Sequence, residues 1–172
     1  MLFENVHVVP AIATQTGAAI AGDWVKLTNY NKCLILLCEQ RGANATTTVF
    51  RVDKAKTAAG GDQSTGITMS NYWKVEDMAT TAGDIGGTAA ATVGVTDVWT
   101  KGTAGTSYEG SATQSVTSWY AIEVAAEELG DDFDWLQLQI VSSNAAHRLT
   151  AFYVLYEPRY ARAGAYQATE IA

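Results

Sequence analysis

A chain of 172 residues, 48% apolar and only 17% charged, is long enough for one domain that buries about two-thirds of its unfolded surface. Its net charge of −7, with no cluster of Lys or Arg, excludes a nucleic-acid binder that draws affinity from phosphate contacts. No uninterrupted apolar run approaches the ~20 residues that span a bilayer, and Glu4 stands where a secretory leader carries basic residues.

In chain order, Leu2 to Val9 reads as a short strand closed by Pro10. Ala11 to Gly22 is small, polar and uncharged: an arm or long loop, either mobile or ordered against a partner subunit. Trp24 to Thr28, the turn Asn29-Tyr30-Asn31 and Lys32 to Glu39 carry a hairpin signal. Cys33 to Cys38 is apolar on both faces, which marks the most central strand. Thr46 to Val52 is rich in β-branched residues and completes a meander with the two strands before it. From Asp53 to Thr68 the pattern fades into loop, Met69 to Val75 can be a strand, and residues 79–96 read as a long irregular excursion. Val93 to Val95 and Val98-Trp99 are weak strands, and Lys101 to Gln114 is Gly/Ser/Thr loop.

The last third is the most legible. Tyr120, Ile122 and Val124 alternate with Trp119, Ala121 and Glu123, the period of a half-buried strand. Ala125 to Leu129 favours about one helical turn, and Gly130 sits where a left-handed stop is wanted. Leu136, Leu138 and Ile140 then share one strand face and Gln137 and Gln139 the other, and Leu149 to Tyr156 forms a further strand ended by Pro158. About eight strands and almost no helix predict an all-β chain: an antiparallel β-sandwich, jelly-roll-like, with one short helical turn and long loops. The expected division is 1–21 as N-terminal strand and arm, 22–160 as one sandwich, and 161–172 as a C-terminal tail.

Catalytic and metal patterns are absent from the sequence. His7 and His147 lack metal spacing, and Gly-x-Ser-x-Gly does not occur. Asp131, Asp132 and Asp134 form the one dense acidic group, read as a solvated turn or, less readily, a cation site. Gly83 to Gly87 lacks the Lys of a phosphate loop, and Asn44-Ala45-Thr46 is read as a chance glycosylation triplet. Cys33 and Cys38, five apart in one strand, point to opposite faces about 17 Å apart and predict two buried thiols in a reducing compartment. The expectation is no enzyme, no cofactor and no metal.

Partner contacts fall to aromatic and Arg residues, the types that bind at interfaces. Trp73 and Trp99 lie beside weak, polar segments, and Arg159, Tyr160, Arg162 and Tyr166 occupy a tail that is either a frayed end or a hook onto an adjacent subunit.

Trp24-Val25-Lys26-Leu27-Thr28-Asn29-Tyr30 before the Cys33–Cys38 strand, Ala121 to Val124 before Glu128-Leu129 and Trp135 to Leu138, and the closing Tyr156-Glu157-Pro158-Arg159-Tyr160 together resemble small structural proteins of tailed bacteriophages, some of them head decoration or cement proteins. The resemblance covers about residues 22–52 and 116–160. It implies a non-enzymatic virion protein, made in the host cytoplasm, that sits on the capsid surface. Its partners would be the major capsid protein and other copies of itself, a trimer being the expected form, with neither nucleic acid nor membrane. The alternative is a carbohydrate-binding β-sandwich module of a phage tail or adhesin, which requires exposed, coplanar Trp or Tyr on one face and fails if Trp73, Trp99 and Trp119 are buried.

Overall fold

The computed structural model describes residues 6–42, 46–79, 99–112 and 116–159. Among the described residues, eleven strands run in chain order as β1 (Val6–Thr16), β2 (Ile20–Ala21), β3 (Val25–Lys26), β4 (Tyr30–Gln40), β5 (Val49–Ala55), β6 (Asn71–Ala79), β7 (Thr100–Lys101), β8 (Tyr108–Glu109), β9 (Val116–Ala125), β10 (Trp135–Ser142) and β11 (Arg148–Pro158). They form two antiparallel sheets, one ordered β1-β11-β4-β9-β6-β7 and the other β2-β10-β5-β8, with β3 also paired to β10. The all-β sandwich expected from the alternation is the observed architecture.

The core between the sheets follows from the period-2 pattern. Cys33, Ile35 and Leu37 of β4, Ile122 and Val124 of β9, and Leu149, Ala151 and Leu155 of β11 face Phe50 and Val52 of β5 and Leu136, Leu138 and Ile140 of β10. Each fully buried Val, Leu, Ile or Phe side chain stabilises the fold by about 1.5–3 kcal/mol relative to exposure. A smaller cluster of Trp24, Ala55 and Trp135 lies outside the second sheet, where Gly60 at φ +73° passes so close to the Trp24 ring that an added Cβ would meet it at 3.3 Å. Between β9 and β10, Ala126–Leu129 is a single 3-10 turn: Glu128 accepts from the Ala125 N–H at 2.8 Å and Gly130 ends it at φ +75°.

Three expectations change. Pro10 does not close the first strand: β1 runs on to Thr16 at the edge of its sheet, where a missing N–H breaks no ladder, and bulges on both sides of Ile12 absorb the irregularity. Trp24 to Thr28 does not pair with β4; Val25 and Lys26 pair with Leu136 and Trp135 in the other sheet. Nor do β4 and β5 form a meander, since β4 lies between β11 and β9 and β5 pairs with β10. Alternation assigns a residue to a face but leaves the neighbouring strand open, and short connections can cross the sandwich. The near-central place of β4, apolar on both faces, is as expected. Of the excursion expected at residues 79–96, residue 79 ends β6, and the rest, with Val93 to Val95 and Val98, lies outside the described residues.

Candidate functional site

The outward residues of the large sheet make the first candidate surface. With Ile35, Ile122 and Tyr153 turned inward, the same strands turn Leu34, Leu36, Trp119, Ala121, Phe152 and Val154 outward. Register lines these up across the sheet: Pro10 opposes Phe152, Phe152 opposes Leu36, Leu36 opposes Ala121, Ala121 opposes Trp73 and Trp73 opposes Lys101. Val8 is 48% and Phe152 37% exposed, while Leu34, Leu36 and Val154 are half-buried. A row of apolar side chains thus crosses a solvent-side sheet face, the arrangement that marks interaction surfaces.

Trp73, Trp99 and Trp119 gather at one corner of that face. Trp73 is half-buried, with Lys101 Nζ 5.9 Å from its ring centroid. On its strand Val75 opposes Trp119, and the Lys74–Thr100 pairing carries Trp99, 44% exposed, toward the same place. This explains why Val75 is buried without belonging to the inter-sheet core. The sequence singled out Trp73 and Trp99 as partner contacts and named Trp119 with them for a sugar-binding face; register places all three on one side of the sheet.

Arg159 is exposed at the opposite end of the sheet. Its N–H donates to the Asn29 carbonyl at 2.9 Å and its Nε donates to Asn31 Oδ1 at 3.0 Å. With Lys32, Glu127 and Glu157 it lines a shallow depression of about 350 Å³, and Lys32 pairs with Glu157 at 3.1 Å. Tyr160, Arg162 and Tyr166 lie outside the described residues.

A second cluster, missed in the sequence, is a polar seam inside one end of the sandwich. Glu39 continues the inward phase of Cys33, Ile35 and Leu37, and that misplaced charge was the signal available. It accepts from Arg41 Nη2 at 3.2 Å, from the Thr48 hydroxyl, and from His147 Nδ1 at 3.1 Å. Arg41 also donates to Ser118 at 3.3 Å and Tyr120 at 3.1 Å. The Tyr120 hydroxyl passes the chain on to Glu76 at 3.1 Å, where Lys74 at 2.6 Å and Tyr108 at 2.8 Å also donate. Burial raises the Glu76 carboxyl, but the Lys74 and Tyr108 hydrogen bonds and the Lys74 charge outweigh it, leaving Glu76 below its ordinary range. Burial, opposed by Lys74 and assisted by Glu76, pushes the Tyr108 hydroxyl up to about 12.

Glu39, His147, Ser143 and Thr48 have the residue types of a hydrolytic triad without its geometry. Ser143 at 3.4 Å, Thr48 at 3.3 Å and Glu39 at 3.1 Å all approach the same ring nitrogen, Nδ1. A triad needs the carboxylate on one nitrogen and the nucleophile on the other. Here Nε2 is buried with no hydrogen-bond partner among the described residues, and all four side chains are buried. The seam therefore ties β4, β9 and the β10–β11 loop together.

His7 is half-buried in β1, its Nδ1 3.5 Å from the Tyr30 hydroxyl. Asp131, Asp132 and Asp134 are exposed, with Lys56 3.8 Å from Asp132, and among the described residues no group of three or more His, Cys, Asp or Glu is placed to hold a metal ion. Cys33 and Cys38 do point to opposite faces, but only Cys33 is fully buried; Cys38 is half-buried on the outer face, correcting the expectation of two buried thiols.

The chain matches no protein family and no curated protein. Among solved structures, that of the SPBc2 prophage-derived protein YomS is similar, with a TM-score of 0.50 at 8% identity over 89% of this chain and 94% of that one. At that identity the likeness is one of fold. It spans nearly the whole of both chains.

Proposed function

We propose that this chain is a non-enzymatic structural protein of a bacteriophage virion. It decorates and stabilises the capsid surface by binding across neighbouring major capsid protein subunits, and it does so as a homo-oligomer. The observation that carries the reading is the Trp73–Trp99–Trp119 corner beside Lys101, on a sheet face whose outward residues are apolar. Trp supplies large, stiff contact area at low entropic cost, and adhesion to a lattice needs only weak contacts repeated many times. The fold likeness to a prophage-derived protein agrees with a phage setting. A ligand that binds only the assembled shell stabilises that shell by mass action.

The test is co-sedimentation of the chain with capsids of the phage that encodes it. Saturable binding is expected, and Trp99→Ala should weaken it about 30-fold, the size of a hot-spot loss. No binding, or binding indifferent to Trp73→Ala and Trp99→Ala together, would remove the reading.

The same three Trp residues keep the carbohydrate-binding alternative open, because none of them is fully buried. Under that reading, polysaccharide or oligosaccharide quenches the fluorescence of the corner Trp residues, and capsids compete for nothing.

A further inference from the structure

The apolar face extends beyond the Trp corner onto β1, β11 and β4. We infer that this half of the face is a self-association surface, closed by the same strip of a second copy about a twofold axis running along β11. The contact goes beyond the capsid reading and stands or falls without it.

Self-complementarity is the main argument. β11 has β1 on one side and β4 on the other, with Val8 opposite Val154 opposite Leu34, and Pro10 opposite Phe152 opposite Leu36. A twofold rotation about β11 exchanges its two neighbours without changing the rows. Val8 of one copy then lies over Leu34 of the other, Pro10 over Leu36, and Phe152 and Val154 meet their own equivalents at the axis. The most exposed residue of the strip thereby covers a half-buried one, and no residue needs a partner that the strip lacks. Isologous contacts of this kind are the ordinary way a dimer closes.

Charge agrees with a second copy. The chain carries a net −7, so two copies repel through most of their surface, and these six positions hold no charge. Edge-to-edge pairing is disfavoured as the route, since β1 carries Pro10 and two register shifts, devices that blunt an edge strand. That leaves face-to-face stacking, with sheets about 10 Å apart.

Size sets the strength. Three strands about 4.8 Å apart and two outward rows about 6.8 Å apart give, with side-chain margins, on the order of 300 Å² per copy. A standard stable interface takes about 800 Å² from each partner. The dimer is therefore weak and concentration-dependent, filling only where copies are crowded together. It is a dimer contact, unlike the trimer that the phage resemblance implies.

Sedimentation equilibrium of the whole chain, from about 10 µM to about 1 mM, a range that brackets such weak contacts, reads it directly. Self-association is expected to rise across that range, and Val8→Glu and Phe152→Glu should each weaken it at least tenfold with the melting temperature unchanged. Val141→Glu, which replaces a comparably exposed apolar residue on the other sheet, should leave it intact. A wild-type chain that stays monomeric at the highest concentration overturns the inference. So does equal weakening by Val141→Glu. Monomeric protein whose capsid binding falls with Phe152→Glu would give the strip to the capsid, and dimerisation without capsid binding would sink the decoration reading alone.

Discussion

The two outer faces of this sandwich are built by the same alternation and finished in opposite ways. On the five-stranded sheet the outward positions are Arg51, Asp53, Gln137 and Gln139, and Asp53 is fully buried there because the chain after β5 folds back over it. Its carboxylate accepts from Arg51 Nε at 2.8 and 3.1 Å, from Gln63 Nε2 at 3.1 Å and from the Gly66 N–H at 2.8 Å. On the six-stranded sheet the equivalent positions are Leu34, Leu36, Phe152 and Val154, and they remain half-buried to exposed. The protein spends its own loop on the face that needs hydrogen bonds and leaves open the face whose burial another surface can supply. Apolar outward residues that contribute little to folding are what an adhesive module requires.

The sharpest way to break that contrast is inside β4, where Ile35 points inward and Leu36 outward on adjacent residues. Ile35→Ala should cost about 4 kcal/mol, the transfer term plus an unfilled cavity. Leu36→Ala should cost below about 1 kcal/mol. Chemical denaturation of the two variants reads the difference, and equal losses would mean the outer face is covered within a single chain.

Next in size is the loop that covers the polar face. Asp53→Ala removes the acceptor of the Gly66 N–H, of Gln63 and of Arg51 together, and should cost about 2–3 kcal/mol. Because Gly60 of the same loop lies against Trp24, the folded variant should also show red-shifted Trp emission. Stability lost without a fluorescence change would mean that the loop stays in place without its carboxylate anchor.

Those residues also mark how far the sequence could be read. The inward phases of β4, β9, β10 and β11 were legible because burial on one face writes itself as alternation, and the 3-10 turn announced itself through Ala125 to Gly130. Strand partners were not legible, since a hairpin and a sheet-crossing connection through Asn29 and Tyr30 look alike until Val25 is seen beside Leu136. Trp73, Trp99 and Trp119 were found by residue type, but only register sets Trp119 opposite Val75 on the strand that carries Trp73. The polar seam was readable in principle: Glu39 stands in the buried phase of the most apolar strand, and a charge there needs partners. Arg41, Thr48 and His147 are partners drawn from beyond that strand, which no period reports.

Acid should act on the seam through Glu76. The Glu76 carboxyl is held below its ordinary 4.5, so its ionised form stabilises the fold above that value, and this contribution is lost as pH falls through the lower folded value. Urea midpoints should therefore drop below about pH 4.5, and Glu76→Gln should lower the midpoint at pH 7 while flattening its fall in acid. A variant with the wild-type slope would place the acid sensitivity elsewhere.

The gentlest probe of the open face is Cys38. Its thiol lies in the row beside Phe152 and Leu36, between Thr150 and Trp119, and burial followed by the Glu39 charge pushes it up to about 11. Cys33, fully buried on the inward side, is pushed up further by burial, against a backbone hydrogen bond with Val154. Thiolate is the reactive form, so a disulfide reagent should modify Cys38 slowly at neutral pH and about tenfold faster per pH unit until its titration is complete. Cys33 should react only on unfolding. Because Cys38 borders the strip assigned to a second copy, its rate should also fall modestly as protein concentration rises, and Phe152→Glu should abolish that dependence. Equal reactivity of both thiols in the folded chain would mean that the two sides of β4 are not the inside and outside of a sandwich.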